Sequence, residues 1–124
     1  MNKPSAKIKI LYVDDEFFNL HLFKDMFKKD FEVYLASSGL EALEGLDAEQ
    51  EIRYLLSDLS MPEMDGLELI KQVKTIYPKI ICGLLTGYDK NSEIENAISD
   101  GLISRYFSKP MDPAEIRNFF SAGN

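Results

Sequence analysis

Five times along this chain, a short apolar run gives way to a longer stretch in which apolar residues recur every three or four positions. The runs are Ile8–Val13, Val33–Ala36, Tyr54–Leu56, Ile80–Leu85 and Ile103–Phe107. The first and fourth are nearly continuous, as strands covered on both faces must be. The stretches that follow put Leu20, Phe23 and Phe27 on one helical face, then Ala42, Leu43 and Leu46, and then Leu67, Ile70 and Val73. Ile94, Ala97 and Ile98 mark a fourth helix, and Ile116 with Phe120 a fifth. Such alternation predicts a three-layer α/β fold, a (βα)5 parallel sheet with right-handed crossovers and helices on both faces. Ser38 with Glu41, Asp65 with Glu68 and Asp112 with Glu115 carry the capping-box spacing, Ser38 most closely. Pro113 suits a first helical position, where its missing N–H costs nothing.

At 124 residues the chain has the length of one domain. We read residues 7–121 as that domain, with 1–6 and 122–124 as loose ends. Fourteen basic against 21 acidic residues give a net charge of −7, which argues against direct nucleic-acid binding because phosphate neutralisation needs clustered Lys and Arg. Cys82 is the only cysteine, so no internal disulfide can form, and its apolar surroundings suit a buried small hydrophobe. The apolar runs are far too short for a membrane span. The first seven residues contain no apolar signal-peptide core, so a cytoplasmic location is expected.

In a parallel sheet of this kind the ligand crevice lies beyond the carboxyl ends of the strands. The first strand ends in Asp14-Asp15-Glu16, and the third in Ser57-Asp58-Leu59-Ser60-Met61-Pro62. The fourth ends in Thr86-Gly87 and the fifth in Ser108-Lys109-Pro110. Each feature alone reads as a solvated loop or a helix start. Together they fall at the same end of their strands, where unrelated accidents would scatter over both. Three carboxylates, a hydroxyl and an ammonium group would converge on one rim.

These segments, with Tyr12-Val13 before the acids and Glu63-Met64-Asp65-Gly66 after Pro62, resemble the CheY-like receiver domain of two-component response regulators. The resemblance runs from residue 8 to about 120. It implies the flavodoxin-like strand order 2-1-3-4-5. It also implies that Asp58 accepts a phosphoryl group from a kinase phosphohistidine. Asp15 and Asp58 would bind Mg2+ directly, Asp14 directly or through water, and Ser60 would offer its backbone carbonyl; Mn2+ could substitute for Mg2+. Lys109 and Thr86 would stabilise the phosphoryl oxygens, and Thr86 and Tyr106 would form the switch. Gly66, Gly87 and Pro110, the last with a cis bond before it, are read as structural. Tyr88, two residues beyond Thr86, is placed to shield the phosphate from water. The domain would promote only its own phosphorylation and dephosphorylation, and is not otherwise an enzyme.

The expected partners are a sensor histidine kinase or a histidine phosphotransfer protein, and a downstream protein or effector domain. A monomer, or a weak dimer through the face of the fourth helix, fifth strand and fifth helix, fits the resemblance; no membrane contact is expected. The sequence fits a stand-alone receiver as well as a piece of a regulator or hybrid kinase. Ile116 favours Phe120 as the buried ring of the Phe119-Phe120 pair, leaving Phe119 partly exposed. Phe17-Phe18 could dock a kinase, or one ring could pack under a loop. His21 lies off the face set by Leu20, Phe23 and Phe27 and reads as a surface residue.

Rival readings are weaker. A haloacid-dehalogenase-type phosphatase needs a second Asp two residues beyond the nucleophile, where this chain has Ser60. No glycine-rich phosphate loop of the nucleotide-binding kinds is present. A non-phosphorylated docking module on the same fold remains as the alternative. Carboxylate repulsion predicts that Mg2+ raises the melting temperature, and that Asp14→Ala raises it in metal-free buffer. Thermal unfolding with and without Mg2+ checks both.

Overall fold

The computed structural model describes residues 7–87 and 91–122. The chain alternates β1 (Ile8–Val13), α1 (Phe17–Phe27), β2 (Phe31–Ala36), α2 (Gly39–Ala48), β3 (Tyr54–Asp58), α3 (Gly66–Ile76), β4 (Ile81–Thr86), α4 (Ser92–Ser99), β5 (Arg105–Ser108) and α5 (Pro113–Ala122). The five strands pair in parallel in the order β2-β1-β3-β4-β5. This is the flavodoxin-like arrangement that the resemblance implied.

Side-chain alternation along the strands divides the core into two layers. Leu11 and Val13 of β1 face one cluster, with Ala42 and Leu46 of α2, Ile70 and Val73 of α3, and Ile94 and Ala97 of α4. Ile10 and Tyr12 face the other, with Leu20, Phe23 and Phe27 of α1 and Ile116 and Phe120 of α5. Cys82 is buried in the first layer, and burial pushes its thiol up to about 12, so it stays a protonated apolar filler.

Capping differs in detail from the sequence pattern. Asp65 and Glu68 form a complete reciprocal box, with the Glu68 N–H donating to Asp65 Oδ1 at 2.9 Å and the Asp65 N–H donating to Glu68 Oε1 at 3.0 Å. At α2 the Glu41 N–H donates to Ser38 Oγ at 3.1 Å, but the Glu41 carboxylate turns instead to the N–H and hydroxyl of Ser37. At α5, Asp112 Oδ1 accepts from the Ala114 N–H at 3.0 Å. Ser37 is a competing donor next to the cap, and spacing alone does not weigh it.

Phe119 corrects an expectation. It is 3% exposed, as deeply placed as its neighbour Phe120. The ring lies over Gly83 of β4, where an added Cβ would come within 2.9 Å of Phe119 Cζ. Tyr54, Phe107 and Phe120 surround it with ring centroids at 5.4, 5.5 and 5.4 Å. A glycine in an otherwise apolar strand thus makes the socket for a second ring. The surrounding aromatics leave that ring little room to retreat. Gly83→Ala should therefore lower stability by ~1–3 kcal/mol in denaturant unfolding, the usual cost of overpacking; an unchanged midpoint would show the socket to be looser than this.

Candidate functional site

The carboxyl ends of the strands carry the acids. Asp14 follows β1 directly, its N–H donating to Ala36 O of β2 at 3.1 Å. Asp58 is the last residue of β3. Because β1 and β3 are neighbours, with Val13 level with Ser57, the two exits lie side by side. One carboxylate oxygen each from Asp14, Asp15 and Asp58 lies within 4.8 Å of the others. Asp14 and Asp58 are buried, while Asp15 is exposed.

The other two groups arrive from the adjoining strands. Thr86, buried, ends β4 level with Ser108 of β5, and its carbonyl accepts from the Lys109 N–H at 2.9 Å. That bond ties the lysine backbone to the threonine. Lys109 Nζ reaches Asp58 Oδ1 at 2.8 Å as an ion pair, without the angular alignment of a hydrogen bond. The Lys109–Pro110 peptide is cis. Tyr106 is half-buried at the edge of the first core layer, and its hydroxyl lies 3.4 Å from Ser108 Oγ. Ser60 is exposed two residues past Asp58.

Gly66 has a steric reason to be glycine. A Cβ there would collide with the Asp58 carbonyl and lie 2.9 Å from Leu84 Cδ1, so the start of α3 can approach the acid only without a side chain. Its N–H donates to Leu59 O at 2.9 Å, closing the loop after β3. Among the described residues, a Cβ at Gly87 would meet only Lys109 Cδ at 3.9 Å, an ordinary contact. Tyr88, singled out as a phosphate shield, lies outside the described residues.

Burial raises the pKa of Asp58; Lys109 opposes this, while Asp14 and Asp15 add to it, and the net direction is up. For Lys109 burial acts downward, but the close contact with the charged Asp58 carboxylate, with Asp14 and Glu16 behind it, carries the net shift upward. The two directions are compatible. The ammonium sees several carboxylates and keeps water on one side, whereas Asp58 is enclosed with two like charges against one opposite charge.

Two residues that hold the site escaped the sequence reading. The buried Tyr12 hydroxyl donates to Asp14 Oδ2 at 2.7 Å, and Asn19 Nδ2 donates to the same oxygen at 3.2 Å. The Glu16 N–H donates to Asp14 Oδ1 at 2.9 Å. The signal for Tyr12 was present, since residues two apart on a strand share a face. Burial and the bond to Asp14 push the Tyr12 hydroxyl far up, so it remains a donor. Phe17 and Phe18, at 75% and 74% exposed, both project into solvent beside this rim, with Phe17 edge-on to the exposed His21 at 4.2 Å. Neither ring packs under a loop.

Residues 10–121 match the model of the response regulator receiver domain family. The chain belongs to that family. It is 34% identical over 111 residues to sporulation initiation phosphotransferase F of Bacillus subtilis, covering 89% of this chain and 88% of that protein. It is 33% identical to the transcriptional regulatory protein ZraR of Klebsiella oxytoca over 86% of this chain but only 24% of the regulator. A crystallised receiver domain protein from Clostridium thermocellum superposes with a TM-score of 0.82 at 28% identity, covering 93% of this chain and 92% of that one. This receiver is thus a domain of two-component signalling, a class that works with histidine kinases and effectors. Among the described residues, no helix is long and apolar enough to cross a membrane.

The donor set fits a hard divalent cation. It offers one carboxylate oxygen from each of three residues at metal-ligating separations, and the buried Asp58 Oδ1 has, among the described residues, only the Lys109 ion pair against it. The hydrogen bonds to Asp14 also revise the stability expectation. Removing that carboxylate leaves the Tyr12 hydroxyl without its acceptor, at ~1–3 kcal/mol, which offsets the relief of repulsion. Asp58→Asn relieves repulsion without that loss. It should raise the metal-free melting temperature at neutral pH by about 4 °C if it gains ~1 kcal/mol, and by more than Asp14→Ala does. A carboxyl pKa raised by folding favours the native state below the unfolded value of 3.8 and loses that contribution as pH rises through the folded value. The advantage of Asp58→Asn should therefore shrink as pH falls from neutral toward 3.8; thermal scans across that range read it, and a gap that widens instead would contradict the sign.

Proposed function

We propose that this receiver takes a phosphoryl group onto Asp58 from a phosphohistidine donor and that the modified state changes its partner binding. One observation carries this reading: three acidic side chains within 4.8 Å of one another, with the Lys109 ammonium 2.8 Å from the buried Asp58 carboxylate. Asp14, Asp15 and Asp58 would hold Mg2+, joined by the Ser60 carbonyl as the family resemblance suggests. Bound there, the ion supplies positive charge for the phosphoryl oxygens.

The remaining work falls to the chain itself. An Asp58 carboxylate oxygen forms the new bond to phosphorus as the phosphorus–nitrogen bond of the donor breaks, and that electron pair returns to the imidazole nitrogen. Catalysis here is mainly alignment and charge neutralisation. Lys109 meets the negative charge on the equatorial oxygens and gives up part of its pairing with Asp58 as the carboxylate becomes an acyl phosphate. The Thr86 hydroxyl donates to a phosphoryl oxygen, and Tyr106, half-buried on the next strand, turns into the space that Thr86 leaves. Such a change is a shift between two conformers, worth a few kcal/mol. Phe17, Phe18 and Leu22, exposed on α1 next to the acids, offer an apolar rim for the protein that carries the phosphohistidine.

Incubation with a small phosphodonor and Mg2+, read by intact mass, tests the reading. One phosphoryl mass should appear on the wild type, be absent from Asp58→Asn, and fall with chelation. No gain on the wild type would favour a docking module that is never phosphorylated.

A further inference from the structure

We propose that Tyr12 and Asn19 form a clamp that makes Asp14 a one-oxygen ligand and biases the acidic site toward Mg2+ over Ca2+. This rests on the metal-dependent reading above and goes beyond it by assigning a cation preference to two residues outside the acidic cluster.

The count of hydrogen bonds leads there. A carboxylate has about four lone-pair positions. Asp14 Oδ2 accepts from the Tyr12 hydroxyl at 2.7 Å and from Asn19 Nδ2 at 3.2 Å, which occupies both of its positions. Asp14 Oδ1 accepts from the Glu16 N–H at 2.9 Å, which leaves one. Among the described residues, Asp14 therefore keeps a single lone pair on a single oxygen to offer to the ion or to one of its waters. Ca2+ takes six to eight oxygens and accepts both oxygens of one carboxylate, whereas Mg2+ demands near-octahedral geometry and keeps several waters. A carboxylate restrained to one oxygen suits the smaller ion.

The clamp is also stiff. Tyr12 is fully buried in β1, and its ring stacks on Phe23 of α1 with centroids 4.0 Å apart and planes 7° from parallel. Asn19 sits in the first turn of α1, where its amide also reaches Glu16 Oε1 at 3.5 Å. The phenol is held by the core and the amide by the helix. Asp14 is thus oriented from two directions by elements that cannot swing independently. Partners of this kind, which touch the ligand and not the metal, typically change metal affinity 10–100-fold when removed. Tyr12 and Asn19 are positioning residues.

The test uses Tyr12→Phe, which keeps the stacked ring and deletes only the hydroxyl, and Asn19→Ala at the more accessible donor. Mg2+ and Ca2+ dissociation constants are measured by calorimetric titration of the unphosphorylated protein, with melting temperatures as a check on folding. In both variants Mg2+ affinity should fall, by ~10-fold for Tyr12→Phe, while Ca2+ affinity falls less or rises, so that the preference for Mg2+ narrows. A merely structural tyrosine would lower the melting temperature and leave the ratio of the two constants unchanged. An unchanged ratio in both variants overturns the clamp while the phosphoacceptor reading stands. A wild type that binds neither cation and gains no phosphoryl mass with Mg2+ removes both.

Discussion

Crowding of negative charge at the exits of β1 and β3 is the constraint that the rest of this site answers. Parallel pairing sets the two strand ends side by side, and burial keeps water from screening Asp14 against Asp58. The two core layers supply the stiffness that keeps the acids from spreading apart. Leu11 and Val13 lock β1 to one layer, and Ile10 and Tyr12 lock it to the other. The acids are held together against their own repulsion, and added positive charge would lower that cost.

Lys109 answers part of it. Its ammonium gains from several carboxylates, while the carboxylate it pairs with is still short of positive charge. The same imbalance would let one site serve both the proposed cation binding and the proposed phosphoryl chemistry, because each would supply or redistribute the charge that Asp58 lacks. The backbone bond from Lys109 to Thr86 links the lysine to the strand whose hydroxyl would read the outcome. Asp14 is arranged differently. Three donors satisfy it within the protein, so it contributes orientation more than reactivity.

Much of the fold was legible from period alone. Ile8–Val13 is β1 as read, and Leu20, Phe23 and Phe27 are the buried face of α1. Strand ends moved where period meets the site: β3 continues through Ser57 and Asp58, because those polar residues still pair with Leu84 and Leu85 of β4. β2 begins at Phe31, two residues before the apolar run, since exposed Glu32 alternates outward without interrupting the strand. Helical spacing could not place Phe119, because the space for its ring belongs to Gly83, a residue on another element. The relation between Tyr12 and Asp14 was in the strand period, but reading Tyr12 as one more apolar core residue hid its hydroxyl.

The residue order by itself determined the alternation of elements, the family, and which acids, hydroxyl and ammonium group stand at the carboxyl ends of strands. Those follow from local periodicity and from motifs a few residues long. Only the folded arrangement decided which oxygen of Asp14 is already taken, that Lys109 reaches Asp58 at 2.8 Å, that Gly66 lets α3 meet the Asp58 carbonyl, and that Phe119 is buried while Phe17 and Phe18 are not. Each of these depends on a distance between residues far apart in the chain, set when helices settle on a twisted sheet. No local pattern encodes such a distance.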